Sequence, residues 1–122
     1  MQIDPNNPVV KLCIQGTQAE FAGQIAEARM LYWQAWEMAQ DDYEACVAAH
    51  YVARHQPDPH EEFRWNQIAL ERADASNDAR VGAFYPSLHL NMGRSYEKLG
   101  DQRAAKRYYD LAAELGSIHQ SE

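Results

Sequence analysis

Apolar residues recur at helical spacing in nearly every window of this chain, and the alternation expected of a half-buried strand is almost absent. Ala28, Leu31, Tyr32, Ala35, Trp36 and Ala39 trace one such stripe. Turn-forming residues interrupt the pattern at "DPNNP" before residue 9, "AGQ" at 22–24, "QDD" at 40–42, "HQPDP" at 55–59 and "LGD" at 99–101, with a softer break at "ASND", 75–78. The breaks predict six helices, over 8–22, 24–39, 42–55, 59–75, 78–98 and 101–115. Their connections are too short for anything but antiparallel neighbours. The sharpest start is "DPHEE": Asp58 suits the cap, Pro59 the first turn, and Glu61 and Glu62 the positive end of the helix dipole. In "GAFYPSLHL", Pro86 would leave the Gly82 carbonyl without an α-helical donor. The pattern favours a long fifth helix bent there, with Phe84 and Tyr85 packed over the second helix pair; the alternative is a helix starting near Pro86 behind an ordered aromatic connector.

The chain also repeats itself. An offset of 77 residues places Gly16 on Gly93, Glu20 on Glu97, Gly23 on Gly100, Ala28 on Ala105, Tyr32 on Tyr109, Ala35 on Ala112 and Glu37 on Glu114. Small residues and one tyrosine are what two closely approaching helices require. Gly16 and Gly93 are expected where paired helices cross, and Gly23 and Gly100 where the first helix of each pair ends in a left-handed residue. The stretch Met92-Gly93, Tyr96, Gly100-Asp101, Ala105, Tyr109, Ala112 resembles the tetratricopeptide repeat, a 34-residue helix-turn-helix unit, in order and spacing. The first repeat keeps Gly16, Gly23, Ala28, Tyr32 and Ala35, with Ala19 where the family prefers an aromatic residue, and the middle one is degenerate. The resemblance implies an all-α fold: an α-solenoid of three antiparallel helical hairpins in a right-handed superhelix, with repeats over 9–41, 42–77 and 78–116 forming a single domain across 1–122.

In that family the first helices of successive hairpins line a concave groove for a peptide or partner helix. Projected onto this chain, the groove comprises Cys13, Thr17, Glu20 and Phe21, then Ala49, Val52 and Ala53, then Leu90, Asn91, Arg94, Glu97 and Lys98. Family members that clamp a carboxylate terminus use lysine, asparagine and arginine on these helices; Cys13, Thr17, Cys46, Ser87 and Asn91 stand at the matching positions, so that clamp is not expected. After Leu115 only "GSIHQSE" remains, too short for the solvating helix that commonly closes such arrays, although Ile118 folding back would cover part of the exposed flank. Leu99, Tyr108, Leu111 and Leu115 would then form an uncovered apolar flank, and a homodimer through it, without a peptide ligand, is the alternative to groove binding.

Charge and chemistry narrow the reading further. With 11 Lys plus Arg against 18 Asp plus Glu, the net charge of −7 argues against a general nucleic-acid binder. Cys13 and Cys46 read as buried thiols of a reducing compartment, and neither a signal peptide nor an apolar run of membrane-spanning length is present, which points to a cytoplasmic protein. Cys46 and His50 lie one helical turn apart and His55 and His60 flank the long turn, yet nothing at motif spacing supplies further ligands, so neither metal nor cofactor is expected. Phosphate loops, nucleophile elbows and H-E-x-x-H patterns are also missing, and the expected activity is protein binding without catalysis.

Overall fold

The computed structural model describes residues 4–120, with the side chains of residues 117–120 outside the description. It is all-helical: α1 (Pro8–Phe21), α2 (Ile25–Met38), α3 (Asp42–Val52), α4 (Pro59–Ala75), α5 (Tyr85–Lys98) and α6 (Gln102–Gln120), with 3₁₀ segments at Ala53–His55 and Ala79–Phe84. Helices adjacent in sequence pack together throughout, and α1 also touches α3. No strand occurs among the described residues.

The helix starts follow from capping chemistry. Asn7 Oδ1 accepts the amides of Val9 and Val10 at 2.9 and 3.2 Å ahead of Pro8, Asp41 accepts Glu44 N–H at 2.7 Å, Asp58 accepts His60 N–H at 2.9 Å, and Asp101 accepts Ala104 N–H at 3.0 Å. Each satisfies amides that have no partner within their own helix. Gly23 and Gly100 adopt φ of 78° and 87°. Around each, two backbone bonds close the helix: Gly23 N–H to Glu20 O and Gln24 N–H to Ala19 O, then Gly100 N–H to Glu97 O and Asp101 N–H to Tyr96 O. That is a Schellman closure at both ends of the 77-residue offset.

The same offset recurs in the packing. A Cβ on Gly93 would lie 2.7 Å from Tyr109 Cδ1, and one on Gly16 would penetrate the Tyr32 ring. Tyr32 Oη donates to Glu20 at 2.6 Å and Tyr109 Oη donates to Glu97 at 2.5 Å. Glycine, tyrosine and glutamate therefore form one lock, built twice. Ala28, Ala35 and Ala105 are buried beside it. The second pair is held by aromatics, Trp65 meeting the edges of Trp33 and Trp36 at centroid distances of 5.8 and 5.0 Å.

Two element boundaries differ from expectation. The fifth helix does not run from residue 78 as a bent α-helix; residues 79–84 are wound as 3₁₀ and α5 starts at Tyr85. The tighter winding gives the Gly82 carbonyl a donor in Tyr85 N–H, and Pro86 falls in the first turn, where no donor is needed. Phe84 is buried against Tyr43 and His50, and Tyr85 donates to Asp74 at 2.6 Å, so the aromatic connector does pack over the second pair. The last helix continues five residues past the predicted end, and the expectation that Ile118 covers the flank concerns a side chain outside the described residues.

Candidate functional site

The end of α3 and its 3₁₀ extension supply His50, Ala53 and Arg54 to one wall of a cleft of about 400 Å³. Ser87, Leu90, Asn91, Arg94 and Lys98 of α5 form the other wall, and Glu62 and Asn66 of α4 reach it from below. Helical spacing aligns each wall: His50 and Arg54 are one turn apart, as are Ser87, Asn91, Arg94 and Lys98 in succession.

Two of the three cleft cations are already paired. Arg54 grips Glu20 with Nε and Nη2 at 3.0 and 2.8 Å, and Lys98 Nζ donates to Glu62 at 2.8 Å. Arg94 has no carboxylate partner among the described residues. Around it the cleft offers neutral amides: Asn66, whose Nδ2 donates to the buried Ser95 hydroxyl at 2.9 Å, and Asn91, whose Nδ2 lies 3.4 Å from His50 Nδ1. Burial, helped by the nearby Arg54 charge, pulls His50 down to about 4, so its imidazole is neutral at pH 7. The cleft thus presents one uncommitted cation among hydrogen-bonding groups.

Of the residues anticipated in the groove from the sequence, the cleft brings together Ala53, Leu90, Asn91, Arg94 and Lys98. Ala49 is a correction: at 0% exposure it is sealed in the core and offers a partner no surface. Val52 is nearly as closed, at 7%. On this wall Ala53 lines the cleft as expected, and His50 and Arg54 stand where Ala49 and Val52 were expected. Thr17 is turned to the backbone, its Oγ1 donating to Cys13 O at 3.0 Å. Glu20 is an internal bridge: burial alone would raise its pKa, but hydrogen bonds from Arg54, Tyr32 and His55 outweigh that and hold the carboxyl below its usual range. Glu97 is tied to Tyr109, and Phe21, 88% exposed, stands apart from the cleft on α1.

The apolar flank on the last pair is smaller than its sequence suggests. Tyr108 stacks on Tyr96 at 5.6 Å and lies 5.7 Å from His89, while Tyr96 touches Phe63 of α4, so that ring belongs to an inward aromatic row. Leu99 and Leu115 are half-buried and Leu111 is 38% exposed. Both cysteines are buried free thiols, pushed up to about 12 by burial. No group of three or more His, Cys, Asp or Glu among the described residues is arranged to hold a metal ion, and none of their helices is long and apolar enough to cross a membrane. Comparisons with protein-family models, with curated proteins and with solved structures give no match.

Proposed function

We propose that this chain is a small tetratricopeptide-like array of three helical hairpins that binds another protein without catalysing a reaction, holding a peptide or helix segment in the cleft between α3 and α5. The observation that carries the reading is Arg94: an unpaired guanidinium at the mouth of a 400 Å³ cleft, among Asn66 and Asn91, on a protein of net charge −7. A carboxylate of a partner segment would complete it, since arginine offers a planar fork of donors matched to that group. The two paired cations, Arg54 and Lys98, shape the walls, and their N–H groups not used by Glu20 and Glu62 remain as donors for an acidic segment. The repeated glycine-tyrosine lock and the twin Schellman closures support the array reading, because they place the same geometry at both ends of one offset.

The test is a peptide array spanning acidic, basic and apolar sequences, followed by titration of the best binders by fluorescence anisotropy. Acidic segments should dominate, and Arg94→Glu should weaken them at least tenfold, which corresponds to about 1.4 kcal/mol. Binding that ignores both Arg94→Glu and Lys98→Glu would remove the cleft from consideration.

A further inference from the structure

Lys11, Ile14, Gln18 and Phe21 fall on one stripe of α1, at spacings of three, four and three residues, and all four are exposed. Moved by the 77-residue offset, they become Leu88, Asn91, Ser95 and Lys98 of α5. In α5 that stripe is the packing face towards the second helix pair: Leu88 is buried, Asn91 approaches His50, Ser95 accepts from Asn66 and Lys98 pairs with Glu62. The α1 stripe is therefore the same packing face with nothing against it among the described residues, and its chemistry has changed: Lys11 replaces Leu88 at one end, while Ile14 and Phe21, 40% and 88% exposed, replace Asn91 and Lys98.

We propose that a second copy of this chain covers the stripe, α1 lying antiparallel on α1 about a two-fold axis. Three features favour that occupant. Beyond Lys11 at its outer end the stripe reads apolar, amide, apolar, so an antiparallel copy sets Ile14 against Phe21 twice and brings the two Gln18 side chains together near the axis, and a carboxamide both donates and accepts, as self-pairing across a two-fold axis requires. α1 is electrically balanced, Lys11 against Glu20, and Glu20 is in turn paired with Arg54, so the face adds no like-charge repulsion of its own between two molecules of net charge −7. The far end of the molecule does not offer a matching surface for open stacking, because the offset converts the gripping Trp33 and Trp36 into Asp110 and Ala113. Pairing therefore closes at two copies. It is separate from the cleft, to which α1 contributes no residue.

Light scattering over a wide concentration range tests this, with the chain mass of 14.0 kDa as reference. The expected result is a twofold mass at high concentration that returns to the single-chain mass in Phe21→Glu; at dilutions where the parent is also a single chain the two should unfold at the same midpoint because Phe21 packs on little, whereas at high concentration only the parent's midpoint should rise. Gln18→Cys should oxidise to a covalent dimer, the two-fold axis bringing the thiols together. A single-chain mass at every concentration overturns the proposal. So does a dimer that survives Phe21→Glu but dissociates on Leu111→Asp, which would place the contact on α6, and so does growth beyond two copies.

Discussion

Gly16→Ala probes the lock that both ends of the chain share. The new Cβ would lie 2.7 Å from Cδ1 and 2.9 Å from Cζ of Tyr32, and closer still to Cε1. The ring has nowhere to go: Tyr32 is fully buried, stacks against Tyr51 at 5.2 Å and is anchored through its hydroxyl to Glu20. Relief must come from spreading α1 and α2 or from pulling the hydroxyl off its acceptor. Overpacking a well-filled contact costs about 1–3 kcal/mol. Losing a hydrogen bond to a charged acceptor costs about 1.5–3 kcal/mol. Alanine's better helix propensity returns about 1 kcal/mol. With both costs incurred the net expectation is a loss of about 1.5–5 kcal/mol. For a chain of this length 1 kcal/mol moves the midpoint by about 4 °C, so thermal unfolding followed by circular dichroism should show a fall of roughly 6–20 °C. Gly116→Ala is the internal control: it also lies within a helix but has nothing within 4 Å, and it should be neutral or raise Tm, gaining up to about 1 kcal/mol. Gly93→Ala should fall between them, since Tyr109 is only half-buried and its ring has room to swing. A Gly16→Ala protein that melts at or above the parent temperature would refute the close-approach argument outright.

Two further outcomes follow from the core and from the cleft. Trp65→Ala removes the ring that Trp33 and Trp36 both grip and should cost about 3–5 kcal/mol in urea unfolding, with exposure of the two remaining indoles seen as a shift in tryptophan emission. His50 stays neutral in the folded protein down to about pH 4, whereas the unfolded chain takes up the proton near 6.5; acidification across that interval favours unfolding, by up to about 3 kcal/mol at its lower end, and His50→Gln should flatten that part of the stability curve. Burial lowers His89 in the same sense, so the difference between the parent and His50→Gln profiles, and not the parent profile alone, isolates His50.

The elements most legible in the sequence were those where backbone geometry allows few residue types. Gly23 and Gly100 hold positive φ, Gly16 and Gly93 face a tyrosine ring, and Asp58 with Pro59 opens α4; each is close to the only chemistry that fits, so the letter announces the structure. The start of α5 was less legible because the sequence around Pro86 permits two windings, and the choice of 3₁₀ depends on Phe84 finding Tyr43 and His50 in another helix pair. Of the α5 residues expected on the groove face, Leu90, Asn91, Arg94 and Lys98 line the cleft and Glu97 does not, while on α3 the lining is turned by about one residue from the expected face. A single step turns a helix by 100°, so it exchanged the buried Ala49 for His50 as the cleft-facing residue, and it hid Arg54 altogether. A pairing of His50 with Arg54 at i, i+4 was the available signal.

The comparison of α1 with α5 shows why partner sites resist reading from one sequence even where the scaffold does not. The residues common to both pairs, Gly16 and Gly93, Tyr32 and Tyr109, Glu20 and Glu97, serve contacts made inside each pair, whose geometry is the same in both. The stripe that faces outward has no such constraint. It carries Asn91, Ser95 and Lys98 where neighbouring helices supply His50, Asn66 and Glu62, and Ile14, Gln18 and Phe21 where the described residues supply no neighbour. Taken alone, Phe21 looks like an ordinary apolar residue near a helix end. Set beside Lys98 and its ion pair, it stands at a position that is a packing contact in α5, and the change from charged to aromatic is what the proposed self-pairing would use.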